Sequence, residues 1–202
     1  MSASRPLPAV AGQLRLLLLA SGAGLLGGGA AVLFRALAVY LPGVVWASDS
    51  NLVRAVTVAS PLMRIVVPTA GALLAGIVLM LGARWSGVAR GWDILEAVVL
   101  RDGILHLRSA LVKCASSLVT VASAGPVGRE GSMVLLSAAT SSAAARGLKV
   151  PVRERRILVG CGVAAGIACA YNAPIGAALF TLEIIVGHFA LDVFAPLVFA
   201  SV

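Results

Sequence analysis

The stretch Gly125-Pro126-Val127-Gly128-Arg129-Glu130-Gly131-Ser132 holds the residues of this chain best suited to chemistry. Its glycines free the backbone to adopt unusual angles and to approach a ligand closely. A helix beginning just after them starts with unpaired N–H groups that point back at the break, and such a terminus is a ready anion site. Glu130 stands where its own carboxylate can occupy that site. A carboxylate competing with a permeant anion for one set of amides makes a gate. Protonating it releases the site and couples anion movement to protons. Two plainer readings fit the same spacing: an Arg129–Glu130 pair in a loop, or a first-turn glutamate that caps its helix. An acid inside a membrane is a functional candidate by default, so the surroundings of Glu130 carry weight.

Those surroundings are apolar. Of 202 residues, 60% are hydrophobic and only 12% charged, and the mean hydropathy is +1.02. So few charges cannot cover a water-facing exterior without leaving large apolar patches. Leu16 to Phe34 is uncharged between Arg15 and Arg35, and Ile65 to Ala83 is uncharged between Arg64 and Arg84. The run from Ile157 to Leu182 is longer still. Helices of this length reach across a hydrocarbon core about 30 Å thick. The first run exceeds the apolar region of a cleaved signal, and further spans follow it. The partner these features imply is a lipid bilayer.

The net charge of +8 does not point to nucleic acid. Basic residues sit at the ends of apolar runs and in one cluster from Arg146 to Arg156, with no aromatics between them. Positive-inside topology and anionic headgroups account for that pattern, and the cluster reads as a cytoplasmic linker. A basic surface also raises the local concentration of a small anion. Cys114, Cys161 and Cys169 lie in apolar segments without metal-ligand spacing and read as packing residues. His106 and His188 are isolated. There is no metal-ligand cluster, no serine–histidine arrangement and no phosphate loop, so neither an enzyme nor a cofactor is expected.

The order of elements follows from the breaks. Residues 1–13 read as a polar lead, followed by a long helix from Leu14 to Tyr40 with Gly24 and Gly28 at four-residue spacing for close helix approach. Leu41 to Ser60 reads as a connection holding Pro42, and Leu62 to Leu81 as a second helix. Beyond it the segments shorten: Trp92 to Leu100, Leu107 to Ser123, Glu130 to Ala145, Ile157 to Ala170 and Ile175 to Val186, with Asp192 opening a last one. Unsatisfied backbone is forbidden against lipid, so broken helices at membrane depth imply protein-lined or water-lined surroundings. Transporters place substrate sites at such half-helix termini.

Gly128-Arg129-Glu130-Gly131 closely resembles the glycine–basic–glutamate–glycine signature of CLC chloride channels and proton/chloride antiporters. Cys161 to Glu183 resembles a second stretch of that family, in which an Asn-Ala-Pro break precedes a helix ending in Leu-Phe-x-x-Glu. A looser likeness runs from Trp92 to the chain end. The resemblance implies an all-α polytopic membrane protein with tilted and broken helices. Residues 1–202 would form a single transmembrane domain, one half of an inverted-repeat fold of the bacterial type. It further implies transport of chloride or a similar anion, a homodimer of complete subunits, and residence in the bacterial inner membrane. The family's later glycine–x–phenylalanine–x–proline segment and its central pore tyrosine have no counterpart here, so a longer native chain is expected.

The resemblance also assigns residues. Glu130 becomes the gating, proton-accepting carboxylate, with Gly128, Arg129 and Gly131 forming an outer anion site. Ala89, Arg90 and Gly91 fall where the family carries a glycine–serine–glycine anion loop. Ala89 there lacks the serine hydroxyl, and backbone amides or Arg90 would have to compensate. Lys113 matches a family lysine near the pore, where its charge offsets the cost of a desolvated anion; the plainer reading has it reach an interface. Glu183 matches the first of two inner acids and reads either as a helix-end structural partner or as an inner proton relay. The second acid is replaced by Ile184, which leaves anion transport intact and disfavours proton coupling. A membrane subunit that scaffolds a larger assembly without conducting anything, or an inactive truncated fragment, is the rival reading.

Overall fold

The computed structural model describes residues 7–46, 52–86, 94–100, 102–186 and 191–202. All regular structure among the described residues is helical: α1 Leu7–Val45, α2 Leu52–Val58, α3 Pro61–Ser86, α4 Ile94–Leu100, α5 Leu107–Ala122, α6 Glu130–Gly147, α7 Val152–Tyr171, α8 Pro174–Thr181, a π-turn Leu182–Val186, and α9 Leu191–Ser201. Ala89, Arg90 and Gly91 lie outside the described residues, as does His188.

Among the described residues two helices are long and apolar enough to cross a bilayer. They run over Gly12–Val45, with a hydropathy of 2.0, and over Pro61–Trp85, with 2.3. Both carry leucines and valines outward, and the second also isoleucines, among them Leu25, Leu33, Ile65 and Leu73. Hydrocarbon rather than water is the solvent for such a surface.

The sequence expectation for α1 was too short at both ends. The helix already starts at Leu7, because Pro8 falls in the first turn, where no intrahelical N–H bond is lost. It also passes through Pro42 to Val45. A proline this near the end removes one N–H donor and leaves the last turn able to close, and the Trp46 N–H donates to the Pro42 carbonyl at 2.9 Å. The indole of Trp46 then donates to the Ala122 carbonyl at 3.1 Å, tying the end of α1 to the end of α5. The expected connection from Leu41 to Ser60 likewise contains α2. Its terminal carbonyls are closed by Arg64 of α3, which donates to the carbonyls of Thr57 and Ala59. Pro61 opens α3 at a position suited to proline.

Small residues set how closely the helices pack. α3 rests on α5 through Gly71, where a Cβ would collide with the Ser123 side chain, and Gly82, where it would meet Val112. Ser116 donates to the Ala75 carbonyl at 3.0 Å across the same contact. α6 lies between α1 and α7 and buries Ser137, Ala138, Ala139, Ser141 and Ser142. Ser137 donates to the Gly162 carbonyl at 2.5 Å and Ser141 to the Ala23 carbonyl at 3.1 Å. Ser142 donates to the Gly103 carbonyl at 2.7 Å and accepts from the Leu105 N–H at 3.0 Å, which fixes the turn after α4. A helix of alanine and serine lets neighbouring backbones approach, and its hydroxyls satisfy themselves on main-chain carbonyls.

The break after α7 has a clear local cause. Asn172 takes the left-handed conformation, φ 58° and ψ 36°, and its N–H donates to Ala168 at 2.7 Å. Asparagine is the side chain that best tolerates such a cap after glycine. Ala173 is non-helical, and Pro174 begins α8. Close by, Arg35 of α1 donates to the Cys169 carbonyl in the last turn of α7 at 3.2 Å.

Candidate functional site

The segment between α5 and α6 is built by a tight reversal. The N–H of Gly125 donates to the Thr120 carbonyl at 2.9 Å, and that of Ala124 to Val121 at 3.0 Å. This is the six-to-one and five-to-two pairing of a Schellman cap. The left-handed position belongs to Ala124, φ 61°, where glycine is usual. Glycine is instead spent on residue 125, where a Cβ would lie 2.6 Å from the Thr120 methyl and 3.0 Å from its carbonyl oxygen. The N–H of Val127 then donates back to Gly125 at 2.8 Å around Pro126. The chain re-enters helix at Glu130.

Arg129 is the N-cap of α6 and offers no side-chain cap. The Met133 N–H, donating to the Arg129 carbonyl at 3.1 Å, makes the first intrahelical bond. The preceding amides of the first turn therefore lack an intrahelical acceptor. Glu130 does not extend away from this end. Its carboxylate folds back over Gly128, where a Cβ would collide with Oε2. No ion pair joins Arg129 to Glu130 among the described residues.

Two cavities border Glu130. The larger, of about 880 Å³, is lined by Lys113 of α5, Glu130, Gly131 and Val134 of α6, Ile167 and Tyr171 of α7, and Phe180 and Ile184 beyond the Asn172 break. The smaller, of about 510 Å³, lies under α2 and is lined by Leu52, Val56, Gly125, Gly128, Arg129 and Glu130. Glu130 is the one described residue common to both. Its side chain is half-buried between them.

The structure thus brings Glu130, Gly131 and Lys113 to one cavity, and Gly128 and Arg129 to the other. Glu183 is exposed at the start of the π-turn, whereas its neighbour Ile184 lines the larger cavity. Reading the sequence missed Tyr171 and the wall made by α2. Tyr171 directly precedes the Asn172 break, which was the available signal. α2 carries none, since seven residues are too few for a helical period to show.

The described residues form helices alone, two of them of bilayer length and others interrupted beside a glutamate, which fits a membrane protein of the broken-helix kind. Comparison with known proteins narrows that class. The family model of voltage gated chloride channels matches residues 70–202. A putative chloride channel protein, ClcB-like, of Ralstonia nicotianae is 46% identical over 143 residues, covering 69% of this chain and 33% of that protein. The voltage-gated ClC-type chloride channel ClcB of Yersinia pseudotuberculosis is 38% identical over 77% of this chain and 38% of its own length. The ClcB channel of Escherichia coli is 35% identical over 201 residues, covering 93% of this chain and 45% of that protein. This chain belongs to the voltage gated chloride channel family, and it spans less than half the length of these relatives.

Proposed function

We propose that the chain supplies one half of a chloride-conducting membrane domain in which Glu130 is the gate. The observation that carries this reading is the place of Glu130 as the single described residue lining both cavities. A carboxylate between two cavities, folded over the start of a helix, blocks an anion by its volume and by its charge. Protonation removes the charge and frees the amides near Gly128 to Gly131 for the anion. Lys113 lowers the cost of bringing an anion into an apolar cavity, and the segment Ala89, Arg90, Gly91 contributes a central site. The complete protein works as a homodimer in the bacterial inner membrane.

Within this reading a channel is favoured over a proton/chloride antiporter, because isoleucine at 184 cannot hold a proton at the inner end of the larger cavity. A non-conducting scaffold is disfavoured. It needs no interrupted backbone beside an acid.

The test is Glu130→Gln in the complete protein containing this half, reconstituted in liposomes. Chloride efflux should persist and become insensitive to pH. A variant that keeps the wild-type pH response removes Glu130 from the gate.

A further inference from the structure

The larger cavity is apolar apart from a few groups. Of its described lining residues only Lys113, Glu130 and Tyr171 carry polar side chains. They stand on three successive long helices, and α6, which bears Glu130, packs against both α5 and α7. Lys113 and Tyr171 therefore flank the start of α6 from its two neighbours. Among the described residues the Tyr171 hydroxyl takes part in no hydrogen bond, and the residue is 64% exposed. Tyr171 lines the same cavity as Glu130, and a phenolic O–H there is open to an acceptor.

An anion that enters such a cavity gives up water and must find donors, since burying a charge without them is costly. The α6 amides supply donors at one end, and Lys113 supplies charge. We propose that Tyr171 supplies a further donor: its hydroxyl hydrogen-bonds the permeant anion when Glu130 has moved aside, and so sets the affinity for chloride. The assignment rests on the gate reading of Glu130 and adds a specificity-determining residue to it. A plainer role exists for an aromatic at a helix end, in which the ring anchors at the membrane interface. Removing the hydroxyl while keeping the ring separates the two roles.

The experiment uses the complete protein containing this half, with chloride as the probe. Isothermal titration of chloride is run on detergent-purified wild type and Tyr171→Phe, beside the chloride dependence of efflux from liposomes. A hydrogen bond to a charged partner in a partly open cavity corresponds to a loss of about ten-fold in affinity. Tyr171→Phe should therefore weaken chloride binding about ten-fold and raise half-saturation of efflux alike, with maximal efflux kept. An unchanged chloride affinity overturns the proposal, including a case where Tyr171→Phe only lowers yield or thermal stability, as an interface anchor would. The pH response of Glu130→Gln is read separately. If that response is lost while Tyr171→Phe binds chloride like wild type, the gate stands and the role of Tyr171 falls.

Discussion

Gly128 and Glu130 form the smallest unit of the proposed gate. The carboxylate rests where a methyl on residue 128 would be, and the colliding atom is the far end of a flexible side chain. Gly128→Ala is therefore expected to displace the carboxylate rather than the backbone, whose angles at the neighbouring Arg129 are ordinary, φ −83° and ψ −15°. Losing one good carboxylate position is worth about 1 kcal/mol, which corresponds to roughly a five-fold shift toward the open arrangement. Chloride efflux at neutral pH should rise by that order, and its increase on acidification should shrink. Efflux with the wild-type pH profile would show that the carboxylate works from another position.

At the scale of elements, the contact between α6 and α7 fixes how closely the two helices approach at the middle of α6. A Cβ on Gly162 would lie 2.8 Å from the Ser137 carbonyl oxygen and would collide with the Ser141 hydroxyl. Gly162→Ala thus forces two packed backbones apart, at a cost of about 1–3 kcal/mol. The expected result is a lower unfolding temperature in detergent by several degrees; an unchanged midpoint would mean that the helices separate without penalty. The same elements show what a sequence can disclose. The breaks at Gly125-Pro126 and Asn172-Ala173-Pro174 were legible, because glycine, asparagine and proline act on the local backbone. The passage of α1 through Pro42 was not, since the cost of a proline depends on how many turns must follow it. The cavities were legible at Gly128 to Gly131, at Lys113 and at Ile184. Tyr171 and Phe180 join them through the packing of the helices, and no local pattern records which residues meet across three helices.

For the whole molecule the two cavities matter together. Glu130 lines both, and Ile184, which also lines the larger one, offers no proton acceptor. Proton movement through hydrocarbon needs groups or water within reach of one another. Weak or absent coupling is expected. In vesicles loaded with chloride, the anion gradient should drive little proton uptake against an imposed proton gradient. Stoichiometric uptake that survives Glu183→Gln would mean that protons reach Glu130 by a route needing neither position.

Arg35 also has a bearing on how the protein is made. It is a charge within the longer of the two bilayer-length helices, and its guanidinium donates to a carbonyl 134 residues further along the chain. An arginine costs about 2.5–3.5 kcal/mol at the centre of an inserting helix and less toward its ends, and Arg35 directly follows the uncharged run that closes at Phe34. The last turn of α7, which receives it, does not exist when α1 leaves the ribosome. Arg35 can therefore make this hydrogen bond only once the chain has been synthesised through Cys169, so α1 cannot complete its packing until α7 is in place.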